Sequence, residues 1–189
     1  MKHLKKIKKE TVEDFLEVQL KPNIISIGVD VSVHSTGISI VRTTDNYVVI
    51  EQTFKIITPK NISQPDALDL FTDQLDNYKR DISQKYKIDV SIIEDCFFGK
   101  NVNTLKALAR HSVLVYDRFK RITNRQEFLL PSPARSRIKF KKSSKKIKGH
   151  ALKKEIVEYI NNALDLKLKV KDTDIADAIV LALAGLVEV

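Results

Sequence analysis

"NIISIGVDVSVHSTGISIVRTTDNYVVIEQTFKII" (residues 23–57) decides the fold. Three runs rich in β-branched residues, "IISIGVD", "STGISIV" and "YVVIEQTFKII", are separated by polar segments, with Asp45-Asn46 between the second and third. Such side chains suit a pleated surface, and short runs joined by tight turns pair with their neighbours, so the stretch predicts an antiparallel meander of three strands. Upstream, Thr11 and Asp14 have capping-box form and predict a short helix at about 11–20, ended by Lys21-Pro22-Asn23. Downstream the period changes. Ser63-Gln64-Pro65-Asp66 supplies an N-cap, a first-turn proline and an acid, and predicts a helix to about Tyr86. "IDVSII" (88–93) reads as a buried fourth strand. Leu105, Leu108, Ser112, Val115 and Phe119 form one stripe of a helix, and "EFLL" (127–130) is a short fifth strand stopped by Pro131-Ser132-Pro133. Helices at about 150–163 and 173–187 follow. The expected class is α/β: a mixed five-stranded sheet with helices on both faces.

The chain has 189 residues, 43% of them hydrophobic, which suits one domain with a single sizeable core. We place that domain at 23–189, behind a basic and partly helical N-terminal extension at 1–22. The net charge of +9 is unevenly spread. Residues 1–9 hold five lysines, and residues 135–154 hold ten Lys/Arg with no acid; the other 18 basic residues face all 24 acidic ones. Concentrated charge of this kind marks a polyanion site, with nucleic acid ahead of an anionic membrane surface. The stretch "KFKKSSKKIKGH" (139–150) has no apolar period and is expected to be mobile when free. Its Lys139, Lys141, Lys142, Lys145, Lys146 and Lys148 are candidates to bind phosphates irrespective of sequence, the alternative being a solvated loop. Cys96 is the only cysteine, which excludes a disulfide framework within one chain and a cysteine-based zinc site, and fits a reducing compartment. The N-terminal 20 residues lack the uninterrupted apolar stretch of a secretory signal, and no run approaches the roughly 20 apolar residues of a membrane span. A soluble cytoplasmic protein with no membrane partner is expected.

Four acids stand out by position. Asp30 ends the first strand of the meander, Glu94 ends the fourth strand, and Asp174 and Asp177 lie one turn apart on one face of the last helix. Each alone is ordinary: strands often finish on a polar residue, and acids near a helix N-terminus favour the helix dipole. That reading accounts for Asp172 and Asp174 but says less about Asp177, which lies deeper in the apolar segment. Together the four are more informative. Clustered carboxylates repel one another and need a cation to remain ionised, and magnesium, a hard ion, takes oxygen ligands while keeping waters and phosphate oxygens in its shell. Two such ions about 4 Å apart activate a water and stabilise the leaving oxygen of a phosphodiester. Acids so arranged beside a basic surface suggest a nuclease using two magnesium ions, with manganese as a substitute. His34, His111 and His150 lack metal-ligand spacing, and a surface or capping role is expected for them.

These residues resemble the RuvC family of Holliday junction resolvases, which has an RNase H-like fold. Four blocks match in order over about residues 24–187: "ISIGVDVSVHSTGISIV"; "IIEDCFFGKNVNTLKALAR"; "PSPARSRI" with "KGHALKKEIV"; and "DIADAIVLALAGL". The resemblance implies that Asp30, Glu94, Asp174 and Asp177 are catalytic and hold the metal. It makes Phe97 the ring that stacks on an unpaired base at the junction centre, with Phe98 as helper, a contact worth roughly 1–3 kcal/mol. It also implies DNA contacts for Lys100, Asn101, Arg110 and Arg135, and puts Arg137 and Lys153 near the scissile phosphate. The implied substrate is a four-way DNA junction, cut symmetrically by a homodimer formed partly through the 101–120 helix. Two departures, Val31-Ser32 where many bacterial members have Pro-Gly and a longer basic insertion at about 138–148, favour a phage-type or divergent member, acting in the host cytoplasm if viral. They leave cut-site preference and a branch-migration motor open. Rival readings are an RNase H-like nuclease for other branched DNA or hybrids, and a non-catalytic junction-binding protein. An actin-like kinase, suggested by "GVDVSVHSTG", would need a second domain that the length does not supply.

Overall fold

A computed structural model describes residues 5–96, 101–144 and 146–188. In chain order the elements are β1 (Lys5–Lys8), α1 (Lys9–Leu16), β2 (Ile25–Asp30), β3 (Ser35–Thr43), β4 (Tyr47–Ile57), α2 (Gln64–Lys85), β5 (Ile88–Glu94), α3 (Val102–Lys120), β6 (Thr123–Leu129), α4 (Pro131–Arg137), α5 (Gly149–Leu164) and α6 (Thr173–Leu186). A 3-10 turn at Val170–Asp172 leads into α6. The sheet order is β1-β4-β3-β2-β5-β6. The first four strands in this order pair antiparallel, and β2-β5-β6 pair parallel. This is the expected mixed α/β sheet with one strand more than expected, β1.

Each face of the sheet has its own core. Ile27, Val29, Ile38, Ile40 and Ile56 pack under α2 and α3 with Phe71, Leu75, Val115 and Phe119. The opposite face, including Val41, Ile50, Val90 and Ile92, is covered by α1, α4, α5 and α6. Ser63 caps α2 as its sequence predicts, accepting from the Asp66 amide.

Three segments differ from expectation. Thr11 lies inside α1, which ends at Leu16 with Glu17 in the left-handed conformation; the chain beyond runs extended, and Leu20 bridges to Val187. Val12, Leu16 and Leu20 are fully buried in the α5–α6 core. Pro131-Ser132-Pro133 ends β6 but also begins α4, since proline suits a first helical turn. Finally, the lysine-rich stretch is anchored at its start: Ile138 is buried, and Phe140 packs edge-on against Tyr159 of α5, whose hydroxyl donates to the Ile138 carbonyl at 2.6 Å.

Helix α6 is apolar on nearly every side and rests directly on the sheet. Glycines permit this approach. A Cβ added at Gly28 would lie 2.1 Å from the Ala178 carbonyl oxygen, and one at Gly37 would lie 2.0 Å from that of Asp174. Both neighbours are backbone, so neither can move without shifting the helix. Gly37→Ala is therefore expected to destabilise the protein by about 3 kcal/mol or more in urea unfolding, whereas Gly149→Ala, in open space at φ +58°, costs about 1 kcal/mol. Equal losses would remove the close-approach argument.

Candidate active site

Strand register brings the first two acids together. Val29 pairs with Ile93 in the parallel β2–β5 ladder, so Asp30 and Glu94, one residue on, lie side by side on the face that α6 covers. On that face Ser26, Gly28 and Asp30 alternate along β2, and Val90, Ile92 and Glu94 along β5. The seating of α6 over Gly37 delivers Asp174 from its first turn and Asp177 from its second. All four carboxylates line one cleft of about 540 Å³, together with Ser32, Leu130, Pro131, Ser132, Arg135 and Lys153.

Crowding shows in the electrostatics. Burial, then a hydrogen bond with Glu94 and the charges of Glu94, Asp177 and Asp174, holds the Asp30 carboxyl well above the usual range. Burial raises Glu94 as well, opposed by its hydrogen bond with Asp30 and by Arg135 and Lys153. Asp177 is raised by burial against the pull of Arg135 and Lys153.

Among the described residues no three of these groups already stand in a metal-ligating arrangement. Each carboxylate instead has a protein partner. Asp30 and Glu94 hydrogen-bond to one another. Asp177 pairs with Arg135 at 3.0 Å, and Asp174 accepts from the Ser35 hydroxyl at 2.5 Å and pairs with Lys55 at 3.4 Å. The donor set is all carboxylate oxygen, with neither sulfur nor imidazole, which is the chemistry that suits magnesium or manganese.

Other expected residues fall in several places. Arg135 and Lys153 reach the cleft, and the buried Arg135 Nε has no acceptor among the described residues. Arg137 does not line it: two residues after Arg135 it points to nearly the opposite side of α4, where its guanidinium makes a bidentate pair with Glu127 of β6, one contact at 3.1 Å. Asn101 caps α3, accepting from the Asn103 and Thr104 amides. Arg110, Lys139, Lys141, Lys142, Lys146 and Lys148 are exposed, while Phe97, Phe98, Lys100 and Lys145 lie outside the described residues. His111 is buried rather than on the surface: its Nδ1 lies 2.8 Å from the Ala107 carbonyl, and its ring meets Phe71 edge-on. Sequence reasoning missed Ser35 and Lys55. Lys55 is placed by strand register, which the runs themselves do not display: Asp30 pairs with Gly37 and Gly37 with Lys55, so all three stand in one row.

A family profile described as crossover junction endodeoxyribonuclease RuvC matches residues 26–185, which include all four acids. The chain belongs to the RuvC family. RuvC-family resolvases are junction-resolving nucleases and generally depend on divalent metal. No curated protein matches the sequence. Among solved structures, Thermus thermophilus RuvC in complex with a Holliday junction substrate is 12% identical, covering 85% of this chain and 91% of its own, with a TM-score of 0.64. The yeast mitochondrial Holliday junction resolvase is 13% identical over 94% of this chain and 85% of its own, with a TM-score of 0.52. Fowlpox virus resolvase, solved with its substrate Holliday junction DNA, is 18% identical over 85% and 95%, with a TM-score of 0.50. At these identities the likeness is one of fold, the RNase H-like fold of RuvC.

The raised acids make a pH prediction for the metal-free protein. A carboxyl whose folded value exceeds its ordinary 3.8 contributes most below that value and loses its contribution as pH rises through the folded value. In chelator, Asp30→Asn should therefore be more stable than wild type at pH 7–8 by about 1 kcal/mol or more, with the gap closing towards pH 4. Thermal unfolding across that range measures it, and a gap independent of pH would contradict the crowding.

Proposed function

We propose that this chain is a structure-specific endonuclease that resolves four-way DNA junctions by symmetric, magnesium-dependent phosphodiester hydrolysis. The observation that carries the proposal is the convergence of Asp30, Glu94, Asp174 and Asp177 on one cleft with Arg135 and Lys153 at its wall. Asp30 and Glu94, from adjacent strands, with Asp174 and Asp177 from α6, would hold two magnesium ions. Bound there, magnesium would supply Lewis acidity towards the phosphate and lower the pKa of a water for attack. Arg135 and Lys153 would bind the phosphate oxygens, which carry more negative charge as the transition state is approached. Because the cleft is open on one side, a backbone phosphate can enter without any base being read. Specificity for a branch then has to come from elsewhere, and we assign it to Phe97, which follows Glu94 by three residues and would stack on an unpaired base at the branch point.

Paired cutting needs two such sites. On α3, Ser112, Val115 and Phe119 of the expected stripe face the core, and Leu105 and Leu108 are half-buried. A second line, Val102, Leu105, Ala109 and Val113, runs along the outer side, with Val102 51% and Val113 63% exposed. We place a two-fold dimer contact there, which matches the approximate two-fold symmetry of a four-way junction. Among the described residues no helix is long and apolar enough to cross a membrane.

Incubation of the protein with a labelled synthetic four-way junction tests the reading directly. Magnesium should give paired nicks in opposed strands of like polarity, chelator none, and Asp30→Asn or Asp177→Asn should slow cutting by about a hundredfold or more. Tight binding without cutting would point to a junction-binding protein, and equal cutting of linear duplex to a general nuclease. For the dimer, Val113→Glu should weaken self-association by about tenfold or more in sedimentation equilibrium. An unchanged association constant would place the contact elsewhere.

A further inference from the structure

Lys55 belongs to none of the sequence motifs, yet it reaches the acid cluster from two strands away. It shares a cross-strand row with Asp30 and Gly37, on the face covered by α6. Gly37 has no side chain between them, so the long Lys55 stem can pass towards the start of the helix. Its Nζ lies 3.4 Å from Asp174 Oδ2 and donates to the Lys171 carbonyl at 3.0 Å. Both partners of the ion pair are largely withdrawn from solvent, with side chains 25% and 23% exposed.

We propose that Lys55 is an internal counter-ion of the carboxylate cluster: its ammonium stands at Asp174 in the metal-free protein and yields that carboxylate to a divalent cation. The inference rests on the metal-site reading given above. An ammonium and a divalent ion on one carboxylate repel each other, so binding of the second disfavours the first. The Lys171 carbonyl makes the exchange feasible, because an ammonium has three donors and keeps one neutral acceptor when Asp174 is taken away. Lys55 thus lowers the repulsion within the empty cluster and, by the same interaction, weakens divalent binding. A purely structural lysine, one that holds Asp174 in its ligating position, would have the opposite effect.

Manganese titration by calorimetry on the whole protein without DNA separates the two. Lys55→Gln should bind manganese about two- to fivefold more tightly than wild type, and Lys55→Arg, which keeps the charge, should remain near wild type. In thermal unfolding, Lys55→Gln should also show the larger rise in Tm between chelator and excess magnesium. If Lys55→Gln does not fold, Lys55→Met keeps the apolar stem and reads the same constants. Equal or weaker binding by the uncharged variants, with wild type still binding, overturns the counter-ion role and leaves the metal site standing. No binding and no Tm shift in wild type overturns the metal-site reading, and the role of Lys55 with it.

Discussion

Backbone-to-backbone contact between α6 and the sheet is the constraint on which the rest depends. Glycine at 28 and 37 lets the helix rest on β2 and β3 without intervening side chains, and Gly185 meets Ser26 near the far end. A helix seated on atoms that cannot change rotamer has little freedom to slide or roll. Asp174 and Asp177 therefore owe their places beside Asp30 and Glu94 to main-chain geometry rather than to side-chain packing. The same seating forces four acids together. Arg135, Lys153 and Lys55, reaching in from α4, α5 and β4, offset that repulsion.

Most of the fold was legible because most of its elements carry strong local signals. The meander is three consecutive runs of β-branched residues divided by polar turns, α2 has both a cap and a proline, and α6 is a long apolar segment opened by acids. Strand β1 was not legible: "KKIK" has one apolar residue, and it becomes a strand because β4 offers it an edge, a tertiary cause. The role of Pro131 as a helix start was missed because α4 buries only Ala134, too little for a periodic signal. Ile138 and Phe140 anchor the lysine-rich stretch, but two residues do not make a period. The four acids could be read from where they fall on elements. Lys55 could not, since its part depends on the register of two neighbouring ladders, and the pairing of Arg137 with Glu127 was not legible because it bridges α4 and β6.

The two basic clusters share a platform. Lys5 pairs with Asp165 just past α5, while Phe15 of α1 and Phe140 both pack on Tyr159 within α5, with centroids 5.1 Å apart in each case. A basic extension and a basic insertion that are far apart in sequence are thus held against one helix. Burial of the Tyr159 ring beneath them pushes its hydroxyl up to about 12, so it stays a donor to the Ile138 carbonyl.

Long-range assembly of the cluster bears on when the protein becomes dangerous to DNA. Asp30 lies on the first strand of the meander, and Asp174 and Asp177 lie on a helix that leaves the ribosome only after β5, β6 and α5. Contacts between such distant segments form late, because the intervening chain must first be ordered. A nascent chain has emitted every strand of its sheet before the second half of its acids appears. If the four acids work as proposed, synthesis contains its own interval in which a polypeptide already carrying most of its basic residues has only half of its cluster.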